Sequence, residues 1–191
     1  ISNSMQKLAM EGGTFTVALR PAENTLNIAG LEALLEGIGL DSGRESIAFE
    51  VSTNAGMPSL PLGKVASGGE LSRISLAIQL ILADPQAANA LVFDEVDVGV
   101  GGKTAAVIGK MLAQLADKRQ ILCITHLHQV AAFGENHFHV NKEQGDQVQL
   151  SIEPLDDQGG SLEIARRVGG EHASDESVAH ARKLIETIRR Q

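Results

Sequence analysis

The stretch that decides the fold is Ala90-Leu91-Val92-Phe93-Asp94-Glu95, in a chain of 191 residues. A short apolar run that ends in two carboxylates is typical of a buried parallel strand whose carboxyl end carries polar chemistry. A second apolar run, Ile121-Leu122-Cys123-Ile124-Thr125, ends at His126, and a helix is predicted between the two runs over Thr104 to Ala116. Strand, helix and strand at this spacing predict a βαβ unit in a parallel sheet covered on both faces.

The segments before this unit predict a small antiparallel section. Period-two alternation predicts two paired strands over Thr14 to Leu19 and Ser46 to Val51. The prolines within Asn54 to Pro61 favour an extended loop. Apolar residues at helical spacing then predict a helix over Gly69 to Ala83, which stops near Asp84-Pro85.

The segments after the unit predict a hairpin and two helices. The hairpin strands are expected over Phe138 to Val140 and Val148 to Ile152, around Gly145-Asp146. One helix is expected over Ser161 to Val168, and another after Ser174 that ends at Arg189-Arg190. The predicted fold is therefore α/β, with a mainly parallel sheet flanked by helices and residues 1–191 in a single domain.

Composition restricts the class of protein. Hydrophobic residues make up 43% of the chain, which indicates a folded protein, and the net charge of −8 disfavours non-specific binding to nucleic acid over the whole surface. The lone Cys123 suits a reducing cytoplasm, and neither a membrane span nor a signal peptide is predicted from these residues. The start at Ile1 predicts that the chain begins partway through a longer protein.

A glycine-rich cap is predicted at the start of the first long helix. Ser67 and Glu70 fit a capping box, which accounts for the local structure. That interpretation leaves Gly68 and Gly69 unexplained. Glycines at a helix N-terminus let the backbone N–H groups approach an anion closely, so an anion site is the alternative interpretation.

Three polar residues follow the two central strands. Asp94 is placed to hold Mg²⁺, directly or through a water, and Glu95 could orient or deprotonate an attacking water. His126 could hydrogen-bond a terminal phosphate. For each of these residues a structural or merely exposed role is the alternative. The common order of cap, Asp-Glu strand and His strand favours the nucleotide-site hypothesis.

These motifs carry a resemblance to a known family. Ser67-Gly68-Gly69-Glu70 resembles the signature motif of ABC ATPases, Leu91 to Glu95 resembles Walker B, and Val96 to Gly99 resembles the D-loop. The strand that ends at His126 resembles the switch-histidine strand. With Pro61 to Arg73 and the tail from Ile164, the chain is similar to the RecN family of bacterial DNA repair proteins, within the SMC-like ABC ATPases.

The resemblance implies a site shared by two heads and a role in double-strand break repair and recombination. Asp94, Glu95 and His126 would serve Mg²⁺ and the ATP on their own head. Ser67, Gly68, Gly69 and Glu70 would serve the ATP held by the partner head. Asp97 would lie at the seam between the heads. The implied partners are the N-terminal half of the same head, a second copy and DNA, in a cytoplasmic, nucleoid-associated bacterial protein with no membrane contact.

One element of the family pattern is missing from the chain. Walker A requires Gly-x-x-x-x-Gly-Lys-[Ser/Thr], and the only near match, Gly102-Lys103-Thr104, has Asp97 at the first glycine position. Gly99 to Thr104 is instead predicted to be a D-loop that runs into a helix. The chain is thus expected to be the C-terminal half of a head, without Walker A and the coiled coil, and inactive alone. Another SMC-like or ABC ATPase, or a non-catalytic dimerisation module, are the alternatives.

Two further groups of residues are left open by the sequence. His126-x-His128 and His137-x-His139 could suggest a metal site, although no cysteine or acidic partner falls at zinc-finger spacing. Lys64 and Arg73 flank the signature-like loop and could contact nucleotide, the opposite head or solvent.

Overall fold

A computed structural model of the chain describes residues 1–21, 45–65, 67–82, 90–144, 148–170 and 174–189. The helices are α1 (Ser2–Gln6), α2 (Gly68–Leu82), α3 (Gly102–Ala116), α4 (His128–Ala131), α5 (Asp157–Gly169) and α6 (Asp175–Arg189), with a 3₁₀ turn at Leu62–Lys64. The strands are β1 (Thr14–Pro21), β2 (Glu45–Ser52), β3 (Leu60–Pro61), β4 (Ala90–Phe93), β5 (Gln120–Cys123), β6 (His137–Gln144) and β7 (Val148–Leu155).

The described strands form three sheets. β1, β2 and β3 make an antiparallel sheet in that order, β4 and β5 pair in parallel, and β6 and β7 form an antiparallel hairpin. The predicted antiparallel pair before the βαβ unit and the later hairpin are confirmed. The predicted turn at Gly145-Asp146, the helix end near Asp84-Pro85 and Arg190 lie outside the described residues.

Several element boundaries differ from the predictions. The end of the supposed loop over Asn54 to Pro61 pairs with β2, as Val51 faces Leu60 across the two strands. β5 ends at Cys123 and not at Thr125. α5 begins four residues before Ser161, because the Asp156 side chain accepts a hydrogen bond from the Gly159 N–H at 2.6 Å and so caps the helix.

The prediction that β4 and β5 are covered on both faces is wrong for this chain. Phe93 is buried in the core, whereas Val92 is 66% exposed and Leu122 is 44% exposed. Successive side chains of a strand point to opposite faces, so one face packs on the core and the other stays exposed. Ile124, at 60% exposure, extends this exposed apolar face.

Among the described residues, the buried side chains form two clusters. The larger one joins α1 to the central unit through Met5, Leu76, Phe93, Val96 and Ile108. The smaller cluster lies where α5 and α6 pack near the end of α4, and its buried members are Ala132, Ile164, Ala165 and Ala181. None of the helices among the described residues combines the length and the apolar composition that a membrane crossing requires.

Candidate functional site

The start of α2 is capped as the sequence predicts. The Ser67 hydroxyl accepts a hydrogen bond from the Glu70 N–H at 3.4 Å, and the Ser67 carbonyl accepts one from the Leu71 N–H at 3.0 Å. These bonds satisfy N–H and C=O groups of the first helical turn. The predicted cap therefore places the four signature-like residues at a helix N-terminus.

The two glycines of this cap lie against the loop that follows β4. A side chain on Gly68 would collide with the Glu95 carboxylate. A Cβ atom on Gly69 would lie 3.0 Å from the Glu95 carbonyl oxygen and 3.2 Å from the Val98 carbonyl oxygen. Close packing against backbone thus gives a reason for Gly69 that is separate from the anion predicted at the cap, whereas the contact at Gly68 is with the flexible end of the Glu95 side chain.

Two side chains of α2 bond the same loop. The Ser72 hydroxyl donates to the Asp94 carbonyl at 2.6 Å. The Arg73 guanidinium donates to the Val98 carbonyl at 2.9 Å and to the Val96 carbonyl at 3.5 Å. Through these bonds the signature-like helix and the loop after β4 form one connected unit.

Arg73, which the sequence left open, is a buried cation. It is 5% exposed, and burial lowers the pKa of its guanidinium while the nearby Glu70 carboxylate opposes that shift. The Arg73 Nε has no hydrogen-bond partner among the described residues. Lys64, by contrast, is exposed. The burial of Arg73 excludes the interpretation of it as a surface charge.

The two consecutive carboxylates stand at the carboxyl end of β4, as predicted. Asp94 and Glu95 are both exposed, and the Asp94 Oδ1 accepts the Glu95 N–H at 2.8 Å. Glu95 has a φ of 58°, in the left-handed region that non-glycine residues rarely adopt. Backbone strain of this kind concentrates at functional sites. The turn is closed by the Val98 N–H, which donates to the Glu95 carbonyl at 3.1 Å.

Asp97 joins this loop to the segment that follows β5. Its carboxylate accepts hydrogen bonds from the Thr125 hydroxyl and from the His126 N–H, the latter at 3.2 Å. The His126 Nδ1 lies 3.4 Å from the same carboxylate oxygen, while the imidazole ring is 65% exposed. The parallel pairing of β4 with β5 brings the two segments together, because the carboxyl ends of parallel strands meet at one edge.

The Asp97 side chain is buried within the loop that the family resemblance places at the seam between two heads. Asp97 is 1% exposed, whereas the adjacent Val98 is 46% exposed. The bonds to Thr125 and His126 hold the carboxylate inside the chain. Sequence reasoning missed Thr125 as the partner of Asp97. The signal was present in the Thr-His pair at the end of the second central strand.

The His pairs do not come together as a metal site. The His137 Nε2 lies 2.9 Å from the Ala131 carbonyl oxygen, and the His139 Nε2 lies 3.4 Å from the Arg166 guanidinium. Burial and the neighbouring His180 both lower the pKa of His128. Within the described ranges there is no cluster of three or more His, Cys, Asp or Glu side chains that could hold a metal ion.

Asp94 nevertheless fits a magnesium site of the nucleotide-dependent kind. Mg²⁺ is commonly bound by one or two carboxylates together with substrate phosphates and waters, and not by an all-protein cage. The Oδ1 of the exposed Asp94 carboxylate accepts the hydrogen bond from the Glu95 N–H, and the second oxygen is able to bind a metal ion. A single exposed carboxylate at a strand end is therefore consistent with Mg²⁺ that arrives with a nucleotide.

Comparison with solved structures defines the class of fold. The Smc head domain with a coiled coil and joint from Pyrococcus yayanosii matches with a TM-score of 0.56 and 18% identity, over 85% of this chain and 27% of that one. The Smc head domain from Pyrococcus furiosus, with an extended coiled coil and bound to the C-terminal domain of ScpA, matches with a TM-score of 0.52 and 18% identity, over 89% of this chain and 36% of that one. The chain has the α/β fold of an SMC-type head, and the predicted fold class is confirmed.

Comparison with curated proteins identifies relatives of the chain. The chain is 40% identical over 186 residues to the DNA repair protein RecN of Vibrio cholerae, and 36% identical over 191 residues to RecN of Bacillus subtilis. RecN of Mycobacterium leprae is 37% identical over 201 residues. No protein-family model matches the chain. The chain is therefore similar to RecN proteins over nearly its whole length, and it spans about a third of the length of these relatives (31%, 32% and 33%).

Proposed function

We propose that this chain is the C-terminal lobe of an ATP-hydrolysing head that engages a second head and drives DNA double-strand break repair and recombination. Its proposed location is the bacterial cytoplasm, in association with the nucleoid. The observation that supports it most is the meeting of Asp94, Glu95 and His126 at one sheet edge, connected through the buried Asp97.

Each residue of the edge has a proposed task. Glu95 acts as the general base or orients the attacking water, since its carboxylate follows β4 on an exposed turn. His126 presents an exposed imidazole whose position is set by the bond of its N–H to Asp97, so it can contact a terminal phosphate. Asp94 would hold Mg²⁺, which when bound offsets the negative charge of the phosphates.

The α2 N-terminus is proposed to serve the nucleotide of the partner head. Ser67 precedes a helix of 15 residues that begins with Gly68, Gly69 and Glu70, and helix N-termini attract anions through free N–H groups and the dipole. Hydrogen bonds from Ser72 and Arg73 connect this helix to the 94–98 loop. A change at one nucleotide could thus reach the residues that serve the other.

The proposed partners follow from the same scheme. The N-terminal half of the same head is proposed to pack on the exposed apolar face of β4 and β5, which includes Val92 and is extended by Ile124. A second copy of the head completes each nucleotide site, with the loop of Asp97 and the exposed Val98 at the seam. DNA is contacted through the complete protein, since the net charge of this chain is −8.

ATP turnover tests the proposal directly. We expect no turnover by the chain alone, and turnover after it is mixed with the N-terminal half of the same protein. A chain with His126→Ala is the control, and it should stay inactive in the mixture. Turnover by the chain alone would contradict the prediction that the chain lacks a phosphate-binding loop. The segment from Gly99 to Thr104 would then be the first candidate for that loop. A mixture that forms dimers but never hydrolyses ATP would support the non-catalytic dimerisation module.

A further inference from the structure

A cation from the C-terminal helices contacts the segment that carries His126. The Arg167 Nη1 on α5 donates to the Thr125 carbonyl oxygen at 3.1 Å, although the two residues are 42 positions apart. Thr125 directly precedes His126. Arg167 therefore binds the carbonyl oxygen of the peptide bond that joins Thr125 to His126, and not the imidazole.

The Arg167 guanidinium also forms an ion pair with Glu163, a carboxylate on its own helix. The Arg167 Nε donates to the Glu163 Oε1 at 3.1 Å. Burial alone would raise the pKa of Glu163, but the hydrogen bond and charge of Arg166, together with Arg167 and His139, bring it below the usual value. Glu163 is thus ionised at neutral pH, and it limits the directions in which the guanidinium can point.

The helix that carries Arg167 is itself fixed in the fold. Ile164 and Ala165, in the turn before Arg167, are buried against α6 and the end of α4. A side chain on a packed helix, paired with a second side chain of that helix, is a well-defined donor. The planar guanidinium uses one nitrogen for the carboxylate and another for the carbonyl, which a lysine ammonium cannot match in geometry.

Thr125 is consequently held from two sides. The Asp97 carboxylate accepts the Thr125 hydroxyl and the His126 N–H, and Arg167 binds the Thr125 carbonyl. We propose that Arg167 is a positioning residue that orients the Thr125–His126 peptide, and through it the His126 imidazole, for ATP hydrolysis. This inference rests on the proposed function of His126. It connects the last two helices of the chain to the nucleotide site.

Steady-state kinetics in the full-length protein test the inference. We expect Arg167→Ala to lower kcat roughly 10- to 100-fold, the size of effect that a small misplacement of a reacting group produces, with KM for ATP unchanged. Arg167→Lys should recover part of the loss. Arg166→Ala is the matched control, because it removes the same charge from the same helix. Like Arg167, Arg166 pairs with Glu163, but its guanidinium lies against His139. It should leave kcat unchanged.

Hydrogen exchange gives a second readout that does not depend on hydrolysis. Arg167→Ala should speed amide exchange at residues 125–127, and Arg166→Ala should not. Wild-type kcat and unchanged exchange in Arg167→Ala would overturn the inference, as would an equal loss in Arg166→Ala. His126→Ala separates this failure from a failure of the proposed function. Wild-type hydrolysis by His126→Ala would overturn the role of His126. If His126→Ala is inactive while Arg167→Ala hydrolyses ATP at the wild-type rate, only the role of Arg167 is overturned.

Discussion

The carboxylate of Asp97 accepts a hydrogen bond from the Thr125 hydroxyl, and this bond joins the loop after one central strand to the loop after the other. The same carboxylate oxygen accepts the His126 N–H at 3.2 Å. Because Asp97 is buried, its substitution by alanine would leave both donors without this acceptor. Buried polar groups that lose their partners carry a large free-energy cost.

Asp97→Ala is expected to lower the free energy of unfolding by about 1 to 3 kcal/mol. Asp97→Asn should cost less, since an amide oxygen in the position of Oδ2 can still accept both bonds. Urea denaturation of the assembled head measures both changes. Asp117→Ala, an exposed carboxylate just after α3, is the control and should change the stability by no more than about 0.5 kcal/mol. Equal effects at the two positions would show that the bond to Thr125 contributes nothing.

The two glycines of the α2 cap should respond differently to an added methyl group. Gly69→Ala places its Cβ against two backbone carbonyls, those of Glu95 and Val98, and should cost about 1 to 3 kcal/mol. Gly68→Ala meets only the end of the Glu95 side chain, which can rotate away. Gly63→Ala has open space around the new atom and serves as the control. Thermal unfolding ranks the three, and a Gly68→Ala variant less stable than Gly69→Ala would contradict the packing described above.

Glu95→Gln in the full-length protein should slow ATP hydrolysis by roughly 100-fold or more, because a general base contributes on that scale. The amide keeps the shape of the side chain, so ATP-bound dimers should form and persist. Steady-state turnover and size-exclusion chromatography with ATP measure the two effects. Glu186→Gln, an exposed residue of α6, is the control. Hydrolysis near the wild-type rate would show that Glu95 is not the base.

Cys123 should resist alkylation in the native protein. Burial, followed by the charges of Asp97 and Asp94, raises the pKa of its thiol to about 12, and the thiolate is the reactive form. The thiol is therefore protonated at neutral pH, and its reactivity should rise only as the pH approaches that value. Iodoacetamide labelling at pH 8, followed by mass spectrometry, should be slow in the native protein and rapid in urea. Rapid native labelling would be inconsistent with this environment.

Much of the fold could be predicted from local patterns. The bounds of β4 match the apolar run from Ala90 to Phe93, and the cap at Ser67 follows from residues only three positions apart. The cap of α6 is equally local, with the Ser177 N–H donating to the Ser174 hydroxyl at 3.2 Å. Short-range rules of this kind rest on backbone groups near in sequence, so the sequence contains all the partners.

The candidate site could be predicted only in part. The placement of Asp94, Glu95 and His126 at strand ends was predictable, because parallel strands present their carboxyl ends at one edge. The burial of Asp97 and Arg73 was not, since each depends on partners more than 20 residues away, the Thr125 hydroxyl and the Val98 carbonyl. The wholly apolar strands also hid which face would be covered, because no alternation separates Val92 from its neighbours.

The sequence by itself determined the order of the elements, the helix caps and the residue types at the two central strand ends. Those features arise from the side-chain periodicity and the backbone hydrogen bonding of contiguous residues. The tertiary structure alone decided that Asp97 turns inward to Thr125, that the glycines of α2 accommodate the Glu95 loop, and that Arg167 reaches the Thr125 carbonyl. These contacts join distant segments, and only the packing of the helices on the strands brings their atoms within bonding distance.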